Sequence, residues 1–264
     1  MAASKPAIKI RVAVPDDPVY DPLVMHADSV CAEHNFELIR TNEDRCGELL
    51  LRNTVELALI SPEDYGRAVG SVDYRIIAGP ALMLEGYTHA ASIYFRPGLE
   101  EIRSCAIAGP TNFLLRAGAI ALGEKFQLGL EVEEHNEPVA ALLQRFDAVV
   151  GRSDDAIPAA LDVSEEWADL VGTPLPLMFW ACRPDEMPEN IGEIVAAMAA
   201  LTLPDQSVVA IDEGPEYEHR SGVIHWRWND DFEQALAQGN ELLFYLQYAP
   251  AMAAVKLFGR DPVE

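Results

Sequence analysis

Between Phe146 and Pro184 the chain reads FDAVVGRSDDAIPAALDVSEEWADLVGTPLPLMFWACRP. Ala148, Val149 and Val150 predict a short buried strand, broken at Gly151. Arg152, Ser153, Asp154 and Asp155 follow, each able to bond a ligand. Ser164, Glu165 and Glu166 open a helix that carries Trp167, and Gly172 ends it. From Thr173 to Cys182 runs an apolar extended segment with Pro174 and Pro176 near its start. A strand, a polar loop, a helix and a long extended exit suit a chain leaving one lobe for another. The loop then lies at the mouth of the cleft between them.

The rest of the chain repeats the strand–turn–helix rhythm. Lys9–Val14 alternates polar and apolar residues as a strand, closed by Pro15-Asp16-Asp17-Pro18. Asp21-Pro22 opens a helix that runs to Asn35, with Asp as cap and Pro at its first position. Strands follow at Phe36–Ile39 and Val55–Ile60, with a helix at Asp44–Arg52 between them. Ser61-Pro62 caps a helix through Arg67, with Glu63 and Asp64 where the helix dipole favours acids. Tyr74–Ala78 reads as a strand, Gly79–Gly86 has no clear assignment, and Thr88–Phe95 is extended. The rhythm resumes with strands at Ser104–Ala108 and Leu130–Glu134 and helices at Phe113–Lys125 and Glu137–Arg145. The first of these helices is so apolar that most of it must be buried. Beyond Cys182 come a helix at Glu189–Leu201, extended runs at Ser207–Ile211 and Val223–Trp228, and a helical region from Asn229 to Phe258 broken by Pro250. Such alternation predicts an α/β protein with parallel sheets and ligands near the carboxyl ends of strands. The simplest arrangement is two lobes around a cleft. Residues 1–87 and 183–264 form the first lobe, and residues 88–182 form the second with the crossings at 88–95 and 174–182.

Charge narrows the partners. Nineteen basic against 43 acidic residues leave −24, which argues against nucleic acid or an anionic membrane. Only four of the basic residues are lysines (Lys5, Lys9, Lys125, Lys256), a bias that a salt-rich cytoplasm or a high-GC genome would each produce. The N-terminus reaches its first strand within about ten residues, without an apolar signal core, and no window of about twenty apolar residues predicts a membrane span. Cys31, Cys46, Cys105 and Cys182 are scattered, which predicts buried reduced thiols and a cytoplasmic protein.

Several chemistries lack their motifs: there is no phosphate-binding P-loop, dinucleotide fingerprint, nucleophile elbow or H-E-x-x-H. The six histidines show no metal-ligand spacing. Three loops share one design, a strand, a small polar turn and a helix N-terminus: Ser61-Pro62, Gly109-Pro110-Thr111-Asn112 and Gly151-Arg152-Ser153. Free N–H groups at such ends bind carboxylate or phosphate, and together they predict a small anionic ligand. Arg152 can grip a carboxylate bidentately, although Asp154 or Asp155 competes for it. Asp16 and Asp17 oppose an anion unless they are capped or turned outward. Tyr87 and Phe179, on the crossings, are candidates to line the cleft, whereas Trp167, Trp180, Trp226 and Trp228 read as core.

DAVVGRSDDAI followed by EEWADLVGTPLPLMFWACR resembles the menaquinone-biosynthesis family of chorismate dehydratase and 1,4-dihydroxy-6-naphthoate synthase. VELALISPEDYGRA, GYTHAASIYFRPGLEEI and residues 223–258 are similar to further segments of that family, so the resemblance spans about residues 9–258. It implies the two-lobed periplasmic-binding-protein type II fold, used inside the cell without metal or organic cofactor. It also implies a carbon–oxygen hydro-lyase that converts chorismate to 3-[(1-carboxyvinyl)oxy]benzoate. The synthase's catalytic histidine has no counterpart, so the dehydratase branch is the nearer one.

On that resemblance Thr111 and Asn112 would hold a carboxylate or the leaving hydroxyl, as the catalytic pair. Arg152 and Ser153 would bind substrate, Ser61 would face its ring, and Asp16 stands in the region of the family's substrate-holding asparagine. Departures at Val14-Pro15-Asp16-Asp17 and at Gly109-Pro110-Thr111-Asn112 keep a second reading open, a non-catalytic binder of a small ligand. The expected partner is a small carboxylate molecule; the sequence leaves the oligomeric state open.

Overall fold

The computed structural model describes residues 9–262 apart from 111, 130, 155, 159–160 and 212–219. Its first parallel unit is built from the early βα alternation. β1 (Arg11–Pro15) pairs in parallel with both β2 (Glu37–Thr41) and β3 (Leu57–Ile60). α1 (Asp21–Val24) and α2 (Ala27–Glu33) join β1 to β2, α3 (Glu43–Leu51) joins β2 to β3, and α4 (Pro62–Arg67) follows β3. The helix expected from Asp21 to Asn35 is therefore broken in two. The His26 N–H leaves the helical ladder and donates to the Met198 carbonyl at 2.8 Å.

The middle of the chain builds a second unit of the same form. β6 (Cys105–Ala108) lies parallel between β7 (Val132–His135) and β8 (Ala148–Arg152). α5 (Phe113–Phe126) follows β6, and the short α6 (Val139–Leu142) follows β7. β5 (Ala91–Phe95) adds antiparallel to β8 and to β9 (Leu161–Asp162), giving the order β7-β6-β8-β5-β9. α7 (Val163–Val171) leads back, capped by Asp162 and closed by Gly172 in the left-handed region, where glycine avoids the Cβ clash.

The first sheet has seven strands in the order β11-β12-β4-β10-β3-β1-β2. The run Gly79–Gly86, unassigned from sequence, completes the twelve-residue β4 (Arg75–Gly86). β10 (Leu175–Cys182), grouped by sequence with the second lobe as a crossing, is fully buried and hydrogen-bonds to β3 and β4 inside the first sheet. Its continuous apolar run is that of a strand covered on both faces. After α8 (Ile191–Met198), β11 (Gln206–Ile211) and β12 (Arg220–Arg227) finish the sheet.

α9 (Asp230–Tyr245) stops well short of Phe258. The tail beyond it pairs instead with the start of β4, through Ile76 N–H to the Lys256 carbonyl and Phe258 N–H to the Ile76 carbonyl, both 2.8 Å.

One apolar cluster spans both lobes, with Val12, Tyr20 and Trp180 from the first and Phe113, Ile120 and Val150 from the second. As its composition requires, α5 is buried from Phe113 to Leu122 except at the half-buried Arg116. All four cysteines are buried free thiols. Among the described residues no helix is long and apolar enough to cross a membrane.

Candidate functional site

The two parallel units, β2-β1-β3 and β7-β6-β8, turn the loops at their carboxyl ends toward each other. Each helix begun there is held by a short polar cap. Asn42 Oδ1 accepts the Arg45 N–H, Ser61 Oγ the Asp64 N–H, and Asn112 Oδ1 the Leu115 N–H. These caps leave other first-turn N–H groups free to meet the opposite lobe.

Among the described residues the polar contacts that follow cross the cleft, and they have the same sense. Glu43, in the first turn of α3, is 5 % exposed and bridges two donors. Its Oε1 accepts the Phe113 N–H of α5 at 2.8 Å, and its Oε2 accepts the Tyr20 hydroxyl at 2.6 Å. Glu63, in the first turn of α4, pairs with Arg116 of α5, and Asp44 lies 3.7 Å from the same guanidinium. At the rim, Asp17 accepts from Arg152 Nη2 at 2.5 Å while also capping Val19. Tyr20 is a first-lobe neighbour of Glu43; in the contacts that cross the cleft the first lobe supplies the carboxylate and the second lobe the donor.

Burial dominates the electrostatics. It pushes the Glu43 carboxyl up to about 7, against the lowering effect of its hydrogen bonds from Tyr20 and Phe113. Burial also raises Asp64 to about 8, although Arg67 at 3.5 Å offsets part of that rise. The Tyr20 phenol lies well above its ordinary value because it is buried and faces Glu43. Gly47 makes room for Asp64: a Cβ there would meet Asp64 Cγ at 2.2 Å.

The residues singled out from sequence fall into three groups. Arg152 and Ser153 come together with Gly109 along an open groove of about 860 Å³ at the carboxyl ends of β6 and β8. Ser153 Oγ shares a 2.7 Å hydrogen bond with Ser92, and Arg152 pairs with Asp17 rather than with Asp154. A second group carries structural duties. The Asn112 oxygen is committed to capping α5, and the buried Ser61 hydroxyl donates to Asp64 Oδ2 at 3.0 Å. Asp16 is exposed, and its neighbour Asp17 makes the cross-cleft contact. Tyr87 is buried at the first crossing, stacked on His89 and under Arg220. Phe179 makes the third, outside the cleft. Phe179 sits in the first lobe's core with edge contacts to Tyr65, Trp228 and Phe232. Thr111 lies outside the described residues.

Sequence reasoning passed over Glu43 and Arg116. Arg116 did leave a signal, since a lone charge in the helix FLLRAGAIAL needs a partner. Glu43 left a weaker one, an acid in the first turn after a strand. Among the described residues no group of three or more His, Cys, Asp or Glu is placed to hold a metal ion.

Neither a protein-family model nor a curated protein sequence matches the chain. Among solved structures it is similar to protein AF1704 from Archaeoglobus fulgidus, at 21 % identity and a TM-score of 0.52 over 70 % of this chain and 71 % of that one. It is also similar to a nutrient-binding protein from Burkholderia cenocepacia bound to methionine (13 %, TM-score 0.44, 72 % and 90 % covered). A periplasmic substrate-binding protein of an ABC transporter from Coxiella burnetii is a third (16 %, TM-score 0.42, 72 % and 91 % covered). These likenesses concern the fold. With two α/β sheets, the first built from both ends of the chain, and parallel strands aimed at the cleft between them, the chain shares the α/β fold of AF1704.

Proposed function

We propose that the chain binds a small carboxylate-bearing molecule between its lobes. The observation that carries this reading is the open groove on the second lobe at the ends of β6 and β8, where Gly109, Arg152 and Ser153 stand beside Glu137 and Asp154, with Arg152 reaching the first lobe's Asp17. Arg152 offers a planar fork that matches a carboxylate; it is half-buried and its guanidinium pairs at the rim with Asp17. The α5 N-terminus and Arg116 stand on the same lobe as further donors once Glu43 and Glu63 move away. Chorismate, with two carboxylates, is the first molecule to test, because the sequence resembles the chorismate dehydratase family.

In that enzymatic reading a ring C–H bond and the C–O bond to the hydroxyl break. The ring becomes aromatic, and water leaves with the proton. Catalysis then consists of holding the ring so that the two bonds align and of stabilising the departing hydroxyl. A non-catalytic reading is favoured by one observation: the side-chain oxygens of Asn112 and Ser61 are both engaged within their own helix caps.

Titration calorimetry with chorismate, followed by mass spectrometry for loss of water, separates the readings. Binding with conversion supports the enzyme, and binding without conversion supports the binder. No binding by chorismate or by a panel of small mono- and dicarboxylates would sink the carboxylate reading. Arg152→Ala is expected to weaken binding by about 1.5–3 kcal/mol, the usual worth of a hydrogen bond to a charged group.

A further inference from the structure

We propose that this cleft closes on the protein's own carboxylates: Glu43, Glu63 and Asp17 of the first lobe occupy the donors of the second, so the lobes latch without a ligand. The inference goes beyond the ligand reading and holds whichever molecule the cleft takes. Its first support is the uniform polarity of these contacts, with acids just after β1 and in the first turns of α3 and α4, and donors on α5 and at the end of β8. Its second is burial. Glu43 and Glu63 are each 5 % exposed and Phe113 1 %, so the inner contacts exclude water and an open cleft would leave their groups to be rehydrated. Its third is apolar: Tyr20 and Val12 of the first lobe share one buried core cluster with Phe113 and Trp167 of the second. Polar and apolar contacts therefore close the same seam. An acid entering the cleft must exchange with Glu43 at the Phe113 N–H, or with Asp17 at Arg152, before it can bind there.

The test uses the full chain without any added ligand. Hydrogen exchange by mass spectrometry reports on the first turns of α5, and small-angle scattering reports the radius of gyration. Wild type is expected to show slow exchange at residues 113–118 and a closed radius. Glu43→Ala is expected to speed that exchange by roughly tenfold and to enlarge the radius, as loss of a buried hydrogen bond would. The double variant R116Q/R152Q weakens the same latch from half-buried positions and keeps the measurement available if Glu43→Ala does not fold. Glu48→Ala, on the exposed side of α3, serves as control and is expected to change neither reading. Unchanged exchange and radius in the double variant, or in a folded Glu43→Ala, would overturn the latch.

Discussion

Glu43 and Asp17 perform one task at two depths of the same cleft. Each is a first-lobe carboxylate that accepts from a second-lobe donor. Glu43 does so with its side chain sealed from water, whereas the Asp17 and Arg152 side chains are each 35 % exposed. The chemistry is alike, but the energetics differ. An exposed pair gains little because water screens it and two long side chains must be ordered. A buried carboxylate is costly when charged, and removing it strands the donors that depend on it. Depth, rather than the kind of contact, decides what each is worth.

The sharpest way to break this comparison is Glu43→Ala. It leaves the Phe113 N–H and the Tyr20 hydroxyl buried without partners, each costing about 1–3 kcal/mol. Denaturant unfolding is expected to show a clear drop in midpoint, and a drop no larger than that of Asp17→Ala would erase the distinction.

pH probes the same depth without a mutation. Glu43 and Asp64 hold their protons more tightly folded than unfolded, at about 7 and about 8 against ordinary values of 4.5 and 3.8. The folded state therefore binds the extra protons, and their contribution is fully present below about pH 4 and lost as pH rises through 7 and 8. The charged groups facing this pair are Asp44, Glu63, Arg67 and Arg116, and Tyr20 bonds Glu43 directly. The melting temperature is expected to decline between about pH 5 and 8.5, and Glu43→Gln is expected to flatten part of that decline. A curve rising over this range would show that the buried acids are charged at little cost.

Ser61→Ala removes the α4 cap and the hydroxyl that donates to Asp64. The cost expected is about 1 kcal/mol, the usual worth of an N-cap, read as a shift in urea midpoint. Asp17→Ala is the smallest change, below about 1 kcal/mol in dilute buffer; molar salt, where the Debye length is about 3 Å, is expected to remove the ion-pair share and leave only that of the Val19 cap. A larger loss that persists in salt would place Asp17 with the inner contacts.

Much of the fold was legible from local pattern. The strand–turn–helix units of residues 9–67 and 104–152 recur nearly where expected, because a short apolar run, a polar cap and an amphipathic or apolar helix carry their signals within a few residues. Ser61 as a helix cap and Gly172 as a terminator are local chemistry of this kind. The misreadings are where long-range bonding prevailed. β10 reads as an apolar crossing, yet partners more than ninety residues away in sequence draw it into the first sheet. Residues 246–258 read as a helix, but their tail finds β4.

For the site, sequence alone determined which loops would face the cleft, since each lies at the carboxyl end of a parallel strand. It also placed Arg152 and Ser153 there, through the polar break after Ala148-Val149-Val150. Only the tertiary structure decided what those loops would hold. Nothing near Glu43 in sequence announces Phe113, seventy residues on, and nothing near Asp17 announces Arg152. An acid in a first helical turn looks the same whether it faces water or a second lobe. Burial and the partner, which set both its proton affinity and its worth, arise when the two lobes meet.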